Sequence, residues 1–263
     1  MDGISKLWED IAFRRGIGDE LAEGSKRLAK KYGGMEFAMQ VKGLEIAAYE
    51  PRKAVGQGLG YAVSNRGGCH LNGGYLVIVE GLGLNADSQT PHAKADFTMI
   101  FQDLLEGISA SGQCLFTSYG FFPKPLITRP NGALTTTVNK LVPFLGFALR
   151  FMNKFPMLLH IHLPVFHHTK VFKYALGMDM HFGKFMRLGE RGYNLERYLN
   201  ARFGVSEKDD CLPKRLTDTP QDPNDPKTVV PLEKMKKIYY QARGWGKDGL
   251  PTERTLKKLR IID

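Results

Sequence analysis

Cysteine is scarce in this chain: three in 263 residues, at positions 69, 114 and 211. No two stand at the short spacing of a metal-binding doublet, and an odd, sparse count builds no disulfide framework. That usage fits a reducing compartment, so the expected location is the cytoplasm. No charged-then-apolar leader opens the chain; residues 1–34 read as an amphipathic helical segment instead. Nor does any run approach the ~20 uncharged apolar residues that spanning a bilayer needs, so no transmembrane segment is expected. The most apolar stretch, 141–166, is interrupted by Arg150, Lys154, Pro156 and Pro164. It reads as a pair of core helices broken at those two prolines; the other reading is an interfacial segment that touches a membrane without crossing it. Strand signals are sparse too, limited to parts of 74–79 and 125–128. What remains is a mainly α fold with little β.

Positive charge is in excess: 37 Lys and Arg against 27 Asp and Glu give a net +10. A 43% hydrophobic and 24% charged composition is that of an ordinary globular protein, and the length allows one large or two smaller domains. The excess is scattered among acids, as in Glu207-Lys208-Asp209-Asp210, and the densest stretch, Lys234 to Lys237, is one face of a helix. No nucleic-acid partner is expected. A basic surface suits an acidic electron carrier such as ferredoxin, or an acidic subunit.

Residues 18–32 carry helical spacing that ends at Gly33-Gly34, and 35–46 form a short extended or turning stretch. The run Gly56-Gln57-Gly58-Leu59-Gly60 follows Glu50-Pro51-Arg52-Lys53 rather than a strand, so it is no dinucleotide fingerprint. Its small residues predict a helix start that packs closely on another backbone or a bulky cofactor. Helical spacing returns over 96–107, over 172–200 with interruptions at Gly177, Gly183 and Gly189, and over 232–242. Four prolines in 216–231 predict an exposed arm, and Thr252 is placed to cap a terminal helix.

Five blocks carry a family resemblance. They are 41–52 (VKGLEIAAYEPR), 61–70 (YAVSNRGGCH), 189–197 (GERGYNLER) with Asn200, 209–215 (DDCLPKR), and 239–245 (YYQARGW) through 249–252 (GLPT). In order and spacing they resemble the C-terminal part of the aldehyde:ferredoxin oxidoreductases, tungsten-pterin enzymes with a four-iron cluster. The resemblance implies irregular helical domains: residues 1–40 as the end of the family's middle domain, 41–263 as its third, and 120–172 as an enlarged segment.

It also implies aldehyde oxidation to a carboxylic acid at tungsten, or molybdenum, held by two pterins. Two electrons then pass through a 4Fe-4S cluster to a ferredoxin-like carrier. His70 matches a histidine near the metal, able to donate a hydrogen bond or shuttle a proton, and Tyr49 matches a pocket tyrosine that orients the substrate carbonyl. Without the resemblance His70 reads as a turn or core residue. Cys114 matches the fourth cluster ligand of the loop Asp-x-x-Gly-Leu-Cys, in which Gly112 is retained, Ser109 replaces the aspartate and Gln113 the leucine. The other three ligands belong to an upstream motif that this sequence does not contain. Both cofactors are therefore expected only with an N-terminal pterin-binding domain or partner subunit. On its own Cys114 reads as a small buried apolar residue.

The alternative is a non-catalytic helical assembly or binding module descended from the family. Cys69, His70 and Cys114 make a poor zinc set because two are adjacent. His160, His162, His167 and His168, interleaved with apolar residues, suggest an interface or core edge rather than a metal site. Substrate, metal and oligomeric state are open.

Overall fold

The computed structural model describes residues 2–82, 87–121, 124–129, 131–163 and 166–263. It is mainly helical, as expected, and among the described residues its one sheet is a two-stranded hairpin, β1 (Gln40–Val41) with β2 (Leu44–Glu45), antiparallel with Val41 opposite Leu44. The residues 18–32 form two helices rather than one, α2 (Ile17–Leu21) and α3 (Ser25–Tyr32), because Gly24 turns the chain at φ 83°. They follow α1 (Asp2–Ala12), and the predicted glycine stop stands at Gly33 and Gly34, φ 82° and 96°.

The glycine run forms α4 (Val55–Val63). A Cβ on Gly60 would lie 2.2 Å from the carbonyl oxygen of Gly73, so the run does serve a close backbone approach. At its N-terminus, Gly56 and Gln57 donate backbone N–H groups to the two oxygens of Glu80 (2.8 and 2.9 Å), and Lys94 pairs with the same carboxylate at 2.7 Å. An anion placed there complements the helix dipole.

Two long helices, α5 (Lys94–Ala110) and α9 (Phe182–Arg202), form the spine. They meet at Gly189, where a Cβ would fall 1.7 Å from the Asp103 carbonyl oxygen, and at Gly107, which abuts the Phe185 ring. Gly189 therefore does not interrupt the helix as the spacing suggested. Nor does Gly183, which sits in its first turn against the Pro156 carbonyl. Gly177, at φ 66°, does end α8 (His168–Leu176).

One apolar cluster joins α4 to α11 (Leu232–Arg243) through Leu59, Met235, Tyr239 and Trp245; a second joins α5 to α9 through Leu76, Ile108 and Phe185. Asp210 ties distant segments together: Arg197 grips both oxygens (3.0 and 2.7 Å), Lys42 pairs with it at 2.7 Å, and Tyr240 donates at 2.6 Å. Removing one partner from such an enclosed network strands charge out of water.

Three further expectations fail. Residues 74–79 are not a strand: Ile78–Leu82 wind as a π-turn, with the preceding apolar residues buried against α5, while 125–128 lie in α6 (Lys124–Thr128). The stretch 141–166 is no pair of core helices. Its first part belongs to α7 (Ala133–Lys154), which ends before Pro156, and Leu141, Phe151, Phe155, Leu158 and Ile161 are exposed; Pro164 lies outside the described residues. The arm 216–231 is exposed only in part, since Leu216, Thr228 and Val230 are buried. After α10 (Lys214–Thr217) it is held by a hydrogen bond from Val230 N to Leu216 O. The expected cap holds, with the Thr252 hydroxyl accepting from Thr255 N at the start of α12 (Glu253–Lys258).

Candidate functional site

Tyr49 and His70 stand on two loops that α4 brings together. Behind Tyr49, Glu50 accepts from Arg52 through Nε and Nη2, both at 2.9 Å, and Arg52 reaches on to the Thr219 carbonyl at 3.0 Å. Ahead of it, the Ala47 carbonyl accepts from the Tyr49 N–H (2.7 Å) and the Tyr61 hydroxyl (3.3 Å). The loop after α4 is fixed by Asn72, whose Oδ1 accepts from the Ser64 hydroxyl and the Asn65 N–H, and by Tyr75 N–H donating to the His70 carbonyl (2.8 Å).

These supports bring three rings together. Tyr49 and His70 have centroids 5.6 Å apart, His70 and Tyr75 5.5 Å, and Tyr49 and Tyr75 5.8 Å. The two tyrosine hydroxyls are 3.2 Å apart. Burial pushes the His70 imidazole below its ordinary pKa, so the ring is neutral at neutral pH. A neutral imidazole between two phenols can accept or donate one proton, and the phenols can donate hydrogen bonds to an oxygen. Tyr75 was missed in the sequence. Its place depends on Gly74 (φ 101°) and on its own left-handed φ of 50°, and the one signal for that was the Gly73-Gly74 pair.

The 109–114 loop is a separate place. Ser109 is half-buried in the last turn of α5; Gly112, at φ 73°, closes that helix, with its N–H on the Ser109 carbonyl and the Gln113 N–H on the Ile108 carbonyl. That is a Schellman cap, and it accounts for the glycine without a ligand. The Gln113 amide donates to the Ser111 hydroxyl (2.9 Å) and the His168 carbonyl (3.4 Å). Cys114 is exposed with a free thiol, not the buried apolar residue of the simpler reading.

The aromatic trio sits by the first half of α5, where Gly74 faces the Thr98 carbonyl and the Gln102 side chain. Ser109 lies seven to eleven residues further along, roughly 10–16 Å at the helical rise. Tyr49 and Leu115 nonetheless pack on the same apolar cluster.

Cofactor fit can be judged from the donors. A four-iron cluster takes four ligands, normally thiolates. Among the described residues no three His, Cys, Asp or Glu side chains converge on a metal position. Cys69, Cys114 and Cys211 are all free. The described residues therefore do not hold a cluster by themselves, and residues 109–114 contain no carboxylate for a pterin's amine edge. Of the histidines at 160–168, His168 is buried with Nε2 2.6 Å from the Thr117 hydroxyl, His160 stacks on His181 at 4.1 Å, and His162 and His167 are exposed. A cleft of about 590 Å³ opens elsewhere, beside Thr90, His92, Asp96, Arg150 and Lys234, and includes none of the expected site residues.

The family described as aldehyde ferredoxin oxidoreductase, domains 2 & 3, matches this chain over residues 1–261. The tungsten-containing aldehyde ferredoxin oxidoreductase of Thermococcus kodakarensis is 37% identical over 254 residues, 94% of this chain and 34% of that protein. Its counterpart in Pyrococcus horikoshii is 36% identical over 258 residues, 95% of this chain and 35% of that one. The Pyrococcus furiosus protein of the same name is 36% identical over 262 residues, 97% and 36% respectively. The chain thus spans about a third of the length of the curated relatives it matches.

Proposed function

The chain belongs to the aldehyde ferredoxin oxidoreductase family, and on that premise we propose that it supplies the C-terminal wall of an aldehyde-oxidising site. In this reading residues 1–40 end the family's middle domain and 41–263 form its third. The overall chemistry converts an aldehyde and water into a carboxylic acid, two electrons and two protons. A tungsten-pterin centre, held with an N-terminal domain or subunit, would take up the electrons and a 4Fe-4S cluster would relay them to a ferredoxin-like carrier. This chain's own part is narrower. Tyr49, with Tyr75 beside it, donates a hydrogen bond to the aldehyde oxygen; His70, neutral, takes a released proton at its free ring nitrogen. Cys114 offers one exposed sulfur ligand to a cluster whose other ligands come from elsewhere.

The observation that supports the reading is the Tyr49–His70–Tyr75 contact, in which the Tyr49 and His70 rings share one aromatic group. The test is co-expression with a polypeptide carrying the N-terminal pterin-binding part of a relative. The complex is expected to contain tungsten and iron and to reduce viologen with aldehyde, and the chain alone to do neither. Stoichiometric tungsten, iron and activity in the chain alone would overturn the half-site. If Cys114→Ser leaves the complex's cluster EPR signal unchanged, the ligand assignment fails.

A non-catalytic assembly module is the second reading, favoured by the missing carboxylate at Ser109. A metal-free complex with an N-terminal partner would establish it.

A further inference from the structure

The 72 residues from Gly107 to Met178 contain no aspartate or glutamate, in a chain that has 27. The same stretch carries seven lysines and arginines. It also holds much of the exposed apolar surface: Leu141 is 53% exposed, Phe151 46%, Leu158 67%, Tyr174 82% and Leu176 64%.

These groups lie on adjoining elements. At 100° per residue, Leu134, Leu141 and Phe151 fall within about 100° of one side of α7, with Lys140 at its edge. Thr135 and Asn153 on another side of the helix are buried. Beyond the helix end, the Phe151 and Phe155 rings are 5.3 Å apart and the Lys154 ammonium stands 5.3 Å from the Phe155 ring centre. The following segment runs alongside 178–183, through Phe182 N–H to the Ile161 carbonyl (2.9 Å) and His162 to Asp179 (3.8 Å). That contact sets residues 159–162 against the segment that follows α8, the helix on which exposed Tyr174 and Leu176 stand with Lys170 and Lys173.

Apolar side chains interleaved with cations, with one carboxylate, Asp179, at the border where it pairs with His162, fit one kind of surface well. Aliphatic and aromatic groups enter the headgroup boundary while lysine stems lie along it with their ammonium groups on lipid phosphates. Among the described residues no helix is long and apolar enough to cross a membrane, so such contact is peripheral. We propose that the cationic, acid-poor surface spanning α7, residues 155–163 and α8 docks on an anionic phospholipid bilayer. Charge complementarity selects that occupant: seven cations and no acid fall within 107–178, and the bordering Asp179 faces His162.

Flotation of the full 263-residue chain with vesicles tests this. The chain is expected to float with phosphatidylcholine vesicles containing phosphatidylglycerol, not with phosphatidylcholine alone, and to be released by salt. Lys154→Gln with Lys173→Gln is expected to weaken partitioning about thirtyfold, taking about 1 kcal/mol per surface cation. Lys31→Gln with Lys257→Gln, equal in charge but outside the surface, is expected to leave it within about twofold. Leu158→Glu with Tyr174→Glu should abolish flotation with an unchanged circular dichroism spectrum; both positions are exposed, so folding is spared. Equal binding to neutral vesicles, no flotation, or equal effects of the two lysine pairs would overturn the proposal. So would a dimer that Leu158→Glu and Tyr174→Glu dissociate without any vesicle binding, which would assign the surface to a second copy.

Discussion

The hydroxyl oxygens of Tyr49 and Tyr75 lie 3.2 Å apart, from loops on either side of α4, and the His70 ring packs against both tyrosines. This contact makes the trio a chemical unit rather than three neighbouring residues. Either phenol can donate to the other across that distance.

Burial alone lowers the His70 pKa, so uncovering the ring should raise it. Tyr75→Ala removes one covering ring, and the imidazole is expected to titrate closer to its ordinary 6.5, as followed by NMR. The stability sign follows. A histidine depressed in the folded state destabilises as pH falls, from 6.5 down to the folded value, because the unfolded chain takes up the proton first. Tyr75→Ala should shrink that acid loss. An unchanged His70 titration would remove the aromatic cover as its cause.

Cys114 and Cys211 are exposed and Cys69 is only partly so, its sulfur accepting the Asn72 N–H at 3.4 Å. Disulfide-exchange reagents are expected to label the first two before the third, as mass spectrometry of timed samples would show. Cys114→Ser should alter stability by no more than about 0.5 kcal/mol, as surface changes usually do. A larger loss would mean that the thiol is packed.

Much of this architecture was legible where periodicity was long. Residues 96–107 already implied α5, and 232–242 implied α11, because their apolar faces are buried at helical spacing. Apolar content misled where it did not mean burial. Residues 141–166 suggested a core, yet several of their large side chains face outward; 74–79 suggested a strand, yet the run is buried and leads into the π-turn at Ile78–Leu82. For the site, Tyr49 and His70 were legible only as motif members. Tyr75 depends on two successive left-handed residues, a backbone choice that no side-chain pattern announces. Gly112 looked like part of a cofactor loop, and its observed place is a helix cap.

Gly189 and Gly60 mark where backbones touch, so added methyls should be costly. A Cβ at Gly189 meets the Asp103 carbonyl oxygen at 1.7 Å, and at Gly60 the Gly73 oxygen at 2.2 Å. Neither obstacle is a side chain that can turn away. Gly189→Ala and Gly60→Ala are each expected to cost about 3 kcal/mol, at the upper end for overpacking. Gly3→Ala, with open space around it in α1, should instead stabilise by up to about 1 kcal/mol. Thermal unfolding of the three variants decides, and equal losses would contradict the close crossing of α5 and α9.

Glu106 should make stability fall with rising pH. It is buried beside Gly192, and desolvation, then the nearby Glu196 carboxylate, push its pKa from 4.5 up to about 7; Arg66 and Arg243 pull the other way but do not prevail. Between those values the folded chain keeps a proton that the unfolded chain has lost. The resulting stabilisation is full below about 4.5 and lost as pH rises to about 7. Glu106→Gln keeps the shape and removes the charge. It should be nearly neutral at pH below 4.5 and stabilising above 7, by up to roughly 3 kcal/mol at 1.36 kcal/mol per pKa unit. That corresponds to roughly 10 °C in Tm for a chain of this size. Asp103, also pushed up to about 7, by its own burial against the pull of Arg243, remains in the variant, so part of the alkaline decline should persist. Calorimetry of both proteins on either side of the window measures the difference, and parallel Tm profiles would show that Glu106 titrates alike in the folded and unfolded chains.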